Sequence, residues 1–177
     1  INSESISRVT AGIEQVLSGR GYQMLLASTD NDPVKEITYL KLFENYPVDG
    51  IILIGTVITA EHRRFLKSSK VPVVVIGQYT RYANCIYHDD HGAGKAMGKL
   101  VASAVKPDAA SGEKAQQERS KVAYIGVTRE DRAVGVSREE GFRAGLKSEG
   151  IELDAEYVRQ AEFTMDSGYR AALDLLT

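Results

Sequence analysis

Apolar and polar positions along the chain alternate between short unbroken apolar runs and longer stretches with helical spacing. The most distinct run is Val48-Asp49-Gly50-Ile51-Ile52-Leu53-Ile54-Gly55, and a second is Val71-Pro72-Val73-Val74-Val75-Ile76-Gly77. Both are rich in β-branched residues and stop at glycine. Runs of this kind read as strands buried on both faces, the mark of a parallel sheet covered by helices. A helix-like stretch, 59–69, lies between them, and another, 33–45, precedes the first. Strand, helix, strand is a βαβ unit. Sheets built this way bind small molecules beyond the carboxyl ends of their strands.

The remaining pattern extends the series. Ile6, Val9, Ile13, Val16 and Leu17 share one helical face, and Gly19 and Gly21 end that helix. Residues 23–28, with Met24, Leu25, Leu26 and Ala27, read as a buried strand. Asp32-Pro33 supplies a cap and a first-turn proline for a helix carrying Val34, Ile37 and Leu40 inward. Thr59 caps the next helix, where Glu61 suits the helix dipole. Strands follow at 73–76 and 85–87. Gly92 then opens a helix with Ala93, Met97, Leu100 and Ala104 in line.

Residues 105–120 are polar with little to bury and read as a mobile loop. A strand at 121–127 follows. Ser137-Arg138-Glu139-Glu140 has the spacing of a capping box, opening a helix with Phe142 and Leu146 inward and Gly150 at its end. A strand at 156–161 leads to a last helix, 165–176, with Tyr169, Ala172, Leu173 and Leu176 on one side. The order α-β-α-β-α-β-β-α-β-α-β-α, with a break near 88–91, predicts an α/β protein of two Rossmann-like lobes with parallel sheets, 1–88 and 89–177. The first lobe lacks an opening strand. The second is incomplete, because a two-stranded sheet is too small to cover its helices. The natural molecule is therefore expected to extend past both ends.

Composition narrows the function classes. The 177 residues suffice for one large domain or two small ones, and 43% are hydrophobic, enough for a packed core. Net charge is −2 with Lys and Arg dispersed, which argues against electrostatic grip on nucleic acid by this segment. A single cysteine, Cys85, excludes an internal disulfide and fits a reducing, cytoplasmic compartment. Its apolar neighbours suggest a structural thiol. No stretch approaches the roughly 18 apolar residues of a membrane helix. Ile1 opens directly into a helical pattern with neither signal peptide nor initiator methionine, so the chain reads as part of a longer one.

Four features carry possible chemistry. Gly92-Ala93-Gly94-Lys95-Ala96-Met97-Gly98 matches a variant of the dinucleotide fingerprint, in which glycines let a pyrophosphate approach a helix amino terminus. The acidic residue expected about 20 residues on falls in the polar loop. The alternative is close packing of this helix on its sheet. His88-Asp89-Asp90-His91 is the densest polar cluster, but successive strand residues point to opposite faces, which disfavours a metal site. A carboxylate there, where the lobes meet, would accept bonds from ligand hydroxyls, with a solvated turn as the alternative.

Arg138 follows the supposed helix cap, where the dipole opposes its charge. Its planar guanidinium suits sugar hydroxyls or phosphate oxygens, the alternative being an exposed ion pair with Glu139 or Asp131. Arg129 and Arg132, in the same loop, would add charge for an anionic ligand, or else stay solvated. Phe163 lies after a strand and before a helix, where an aromatic stacks on a pyranose face, with core packing as the alternative. His62, His88 and His91 have no nucleophile partner by motif, and no catalytic signature is present.

Taken in order, Val48-Asp49-Gly50-Ile51-Ile52-Leu53, the run from Val71 to Gly77, Asp89-Asp90 before a small-residue helix, Val122-Ala123-Tyr124-Ile125-Gly126 and Arg138-Glu139-Glu140-Gly141-Phe142 resemble the effector-binding domain of LacI/GalR-family repressors. The resemblance spans essentially the whole chain. Residues 21–90 most resemble repressors of sucrose or trehalose operons. It implies a periplasmic-binding-protein-like fold and no enzyme activity, with no cofactor or metal. It implies a sugar or sugar phosphate effector, or in some members a purine or partner protein, bound between the lobes. The ligand alters operator binding by a helix-turn-helix headpiece of a homodimer. By position, Arg138 resembles the ligand-binding arginine, Phe163 an aromatic packed on the sugar, and Asp89 or Asp90 the inter-lobe polar contact. Ser3 and Ser5 lie in what resembles the first ligand loop. The headpiece, first strand and later ligand segments are absent from the chain, and loop 105–120 is longer than the family's. A periplasmic sugar-binding protein of a transporter shares the architecture and is the alternative.

Overall fold

A computed structural model describes residues 4–55, 57–105 and 121–176. Most of the polar loop expected at 105–120 lies outside the described residues. The chain divides into two compact units, Ile1–Tyr87 and His88–Thr177.

In the first unit, α1 (Glu4–Ser18) ends in a Schellman turn. Gly21 sits at φ 80°, and the Tyr22 N–H donates to Leu17 O at 3.0 Å. Helix α2 (Pro33–Glu44) starts as the sequence predicts, with Asp32 Oδ1 accepting from the Val34 and Lys35 amides at 2.8 and 3.3 Å. Strands β1 (Ile51–Ile54), β2 (Val73–Ile76) and β3 (Asn84–Ile86) form a parallel sheet in that order. Helix α3 (Ala60–Ser68), capped by Thr59, crosses between β1 and β2. Ile37, Leu40, Phe65 and Leu66 of the two helices pack on Ile51, Leu53, Val73 and Val75.

Three expectations fail in this unit. Residues 23–28 pair with no strand among the described residues, and Leu25 and Leu26 are 65% and 58% exposed. An open groove separates them from β1, lined by Leu17, Leu25, Leu26, Ile52, Ile54 and Val74. The outer edge of β1 pairs with no strand among the described residues, so the apolar run lacks the ladder that would make it a strand. Strand β1 is buried on one face only, where α2 and α3 pack, and Ile52 on the other face is exposed. Val34, expected inward, is also exposed, because the packed face of α2 is Glu36, Ile37 and Leu40.

The second unit has a two-stranded parallel sheet of β4 (Tyr124–Gly126) and β5 (Val158–Gln160). Its helices are α4 (Asp90–Val105), α5 (Arg138–Ser148) and α6 (Met165–Leu176). Ala102, Val122, Phe142, Leu146 and Leu153 form its core. Gly150 ends α5 at φ 79°, with the Ile151 N–H on Leu146 O at 3.1 Å.

Helix α4 presents the opposite face from the one its apolar spacing predicts. Met97 and Leu100 are 52% and 62% exposed, while Gly94, Gly98 and Ala102 are buried. The cause is backbone-to-backbone packing against α5. A Cβ on Gly94 would lie 2.1 Å from Arg138 O, and one on Gly98 2.3 Å from Phe142 O. From the other side, a Cβ on Gly141 would meet His91 O at 2.0 Å and one on Gly145 would meet Lys95 O at 2.3 Å. The Gly94–Arg138 and Gly98–Phe142 approaches rise together along both helices, so α4 and α5 run parallel.

The expected capping box at Ser137 is not formed. Ser137 makes no capping bond, and its hydroxyl donates to Arg132 O at 3.0 Å. The helical segment begins earlier, at Asp131, whose Oδ1 accepts from the Ala133 and Val134 amides, both at 3.0 Å. A π-helical turn, Arg132–Ser137, then feeds α5. In α6 only Ala171 is buried, and Tyr169, Leu173 and Leu176 are exposed, since two strands cover little of it. No described helix is long and apolar enough to cross a membrane.

Candidate functional site

Of the polar residues expected to bind a ligand, Asp89, Asp90 and Arg138 lie where α4 and α5 begin. Asp89 caps α4, its Oδ1 accepting from the Gly92 N–H at 2.8 Å. Asp90 is the first residue of α4 and Arg138 the first of α5. Because the glycines hold these parallel helices in backbone contact, the two side chains meet. Arg138 Nε donates to Asp90 Oδ1 at 3.0 Å, and Nη2 donates to the same oxygen. The Asp90 side chain is 8% exposed and that of Arg138 is 45% exposed. This is a charge-assisted pair with one buried member. It leaves Asp90 Oδ2 and Arg138 Nη1 without partners among the described residues.

The π turn changes the electrostatic reading of Arg138. The helical ladder already starts at Asp131, so Arg138 stands beyond the first turn, where the dipole opposes a cation less. Its buried partner is Asp90, neither of the two acids expected from the sequence.

A second charged group lies beside it. Glu139 accepts from Arg129 Nη1 at 3.0 Å and from Arg143 Nε at 2.9 Å, and Arg143 Nη1 donates to Leu153 O at 2.7 Å. Tyr124 of β4 packs on Phe142 with ring centroids 5.1 Å apart. Burial pushes its phenol pKa up from the usual 10.0, and the Glu139 charge adds to that while Arg138 and Arg143 oppose it.

Phe163 lies past the carboxyl end of β5 and is 59% exposed. It is therefore not a core residue, and it makes no ring contact with another aromatic among the described residues. The loop leading to Arg132 leaves the same edge of the sheet, because β4 and β5 are parallel and paired Gly126 to Gln160. Asp89 is a solvent-facing cap, and His88 and His91 are exposed. Ser3 lies outside the described residues, as does the side chain of Ser5 in α1. No group of three or more metal-ligating side chains occurs among the described residues.

The glycine fingerprint has a different use from nucleotide binding. Gly94 and Gly98 face the α5 backbone, and a Cβ on Gly92 would lie 2.1 Å from the Asp89 carboxylate. Neither surface is open to a pyrophosphate. The close packing expected against a sheet is made against a helix.

The sequence reading missed Glu139 as a hub, although its i,i+4 spacing to Arg143 is a local signal. It also missed a buried pair in the first unit. His62 Nε2 lies 3.0 Å from Glu36 Oε2, at an angle short of a hydrogen bond, with side chains 0% and 2% exposed. The Thr59 N–H donates to His62 Nδ1 at 3.3 Å, so the ring proton belongs on Nε2, facing Glu36. Thr59-x-x-His62 has capping-box spacing with histidine in the acid's place.

No protein-family model matches the chain. It is 32% identical over 152 residues to the sucrose operon repressor of Staphylococcus xylosus, covering 86% of this chain and 43% of that protein. It is 25% identical over 173 residues to the catabolite control protein A of Priestia megaterium, covering 96% of this chain and 48% of that protein. The crystal structure of the transcription regulator CcpA of Lactococcus lactis superposes with a TM-score of 0.78 at 29% identity, covering 99% of this chain and 60% of that one. The chain spans about half the length of the curated relatives it matches.

Proposed function

From the premise that this chain is part of a LacI/GalR-type effector-binding domain, we propose that it is the sugar-sensing segment of a transcriptional repressor. The observation that carries the binding role is the Asp90–Arg138 pair, which holds a half-exposed guanidinium in place and leaves its Nη1 and the Asp90 Oδ2 unengaged among the described residues. An unengaged acceptor and an unengaged donor suit the hydroxyls of a polyol. Arg138 donates to the ligand, Asp90 accepts from it, and Phe163 offers an aromatic face to a pyranose ring. Asp89, Ser3 and Ser5 remain secondary ligand candidates.

The ligand shifts an existing equilibrium of conformations by as much as its affinity differs between them. Operator DNA is held by a headpiece outside this chain, in a cytoplasmic homodimer. The ligand undergoes no bond change, so the protein is a sensor and not an enzyme. The sucrose operon repressor and CcpA relatives support this reading over a transporter's binding protein. The residues encoded upstream of Ile1 discriminate directly, as a helix-turn-helix or a secretory signal.

The test uses the full-length protein, titrated calorimetrically with sugars, sucrose first because a relative is named for that operon. Arg138→Ala should weaken binding by about 1.5–3 kcal/mol, the range for hydrogen bonds to a charged group. Unchanged affinity in the variant removes Arg138 from the site.

A further inference from the structure

We infer that the outer face of α3, together with the loop between β2 and β3, docks an acidic segment of a partner protein. The inference does not depend on the sugar site of the second unit. Arg64, Lys67 and Lys70 lie along α3 and the turn after it, and all three are exposed. Arg64 and Lys67, three residues apart, share a helical face. Arg81, also exposed, reaches the same place from a different element, the loop 77–83. Its neighbour Tyr82 packs against the core of the first unit, and both charges flank the ring. Lys67 Nζ lies 4.7 Å from the ring centroid and Arg81 Cζ lies 5.0 Å from it.

The two cations therefore stand within about 10 Å of each other, a range over which like charges at a surface still repel at ordinary salt. Lys67 by itself suits the helix dipole, since it lies in the last turn of α3. Arg81 has no such reason, and its loop brings it to a cation rather than to an acid. The acids of α2 and α3 make no ion pair with these cations. Glu36 is buried against His62, Glu44 accepts from the Lys70 N–H at 2.9 Å, and Glu61 is in the first turn of α3, the far end from Lys67. The Tyr82 phenol reports the resulting field. Hydrogen bonding from Arg81 is the largest cause of a pKa below the usual 10.0, burial opposes it, and the charges of Arg81 and Lys67 add to it.

A partner that supplies negative charge relieves this repulsion. One exposed ion pair contributes at most about 1 kcal/mol, so a small anion is held weakly. Several acids on one segment engage Arg64, Lys67, Lys70 and Arg81 together. Arginine and tyrosine are also the side chains that most often anchor protein interfaces. The chain's net charge of −2 disfavours nucleic acid, whose long-range field acts on the whole surface, whereas a short acidic segment meets the local patch.

The experiment uses full-length protein with operator DNA already bound, so that the headpiece is occupied. The probe is a fluorescent decaglutamate peptide, followed by anisotropy at low and physiological salt. Lys67→Glu combined with Arg81→Glu should weaken its binding by at least about tenfold at low salt. Lys95→Glu combined with Lys99→Glu, at exposed positions of α4, makes the same change in net charge and should leave it unaltered. Unchanged binding in the first variant, or equal loss in both, overturns the inference. So does a short DNA duplex of unrelated sequence that displaces the peptide at lower charge concentration, which makes the patch a nucleic-acid surface. Sugar affinity should be the same in all three proteins, and a loss confined to the first variant assigns Lys67 and Arg81 to sensing instead. If the double reversal does not fold, Lys67→Gln with Arg81→Gln replaces it, with the same readings.

Discussion

Buried charge governs this protein at the scale of single residues. Glu36 and His62 are both almost fully enclosed, and they face each other at 3.0 Å. Removing one partner leaves an uncompensated group in the core. His62→Ala should therefore cost about 3–5 kcal/mol, measured by urea unfolding. Tyr124 gives a pH dependence of definite sign. Its folded pKa lies above 10.0 because burial and Glu139 disfavour the phenolate. The unfolded phenol ionises first, so the contribution to stability is intact below that value and is lost as pH rises through the folded pKa. Tyr124→Phe should flatten the alkaline fall in stability. Denaturant midpoints taken across the alkaline range for both proteins check this, and equal slopes would remove Tyr124 as its source.

Between elements, the contact of α4 with α5 sets where the candidate site lies. Four glycines bring the two backbones together, and Asp90 and Arg138 meet because of it. Gly98→Ala places a methyl against Phe142 O, a backbone atom with no room to yield. A cost of about 1–3 kcal/mol is expected, with weakened effector binding as the helices separate. Gly12 of α1 is the control, since a Cβ there meets nothing within 4 Å. Gly12→Ala should stabilise by about 0.5–1 kcal/mol. Thermal unfolding of the two variants reads both signs in one experiment. Apolar spacing in α4 points the other way, to Met97 and Leu100. Hydrophobicity identified the helix but not its buried side, because here close approach depends on the lack of a side chain.

At the scale of the whole molecule, sensing and DNA binding should separate. The chain carries a net charge of −2 with dispersed cations, and Arg138 is neutralised by Asp90. Arg138→Ala should leave effector-free operator affinity and its salt dependence unchanged while shifting the response to higher sugar concentration. Fluorescence anisotropy with operator DNA measures both. A changed salt slope would mean that Arg138 contributes to DNA contact. The first unit sets a different limit. The run 23–28 has the composition of a strand, yet β1 offers no ladder for it beyond the open groove.

Local signals determined much of this protein. Asp32-Pro33 and Thr59 start helices where the sequence places them, Gly21 and Gly150 end them, and β-branched runs form parallel strands. These are contests between a few neighbouring backbone and side-chain groups, which a linear reading contains. Tertiary structure decided the rest. Asp90 and Arg138 are 48 residues apart, and only helix packing pairs them. The true start of the Arg138 segment, at Asp131, involves a π turn that no spacing announces. Whether an apolar run becomes a strand depends on a neighbouring edge. A charge's partner depends on which backbones touch, and neither is a property of the segment itself.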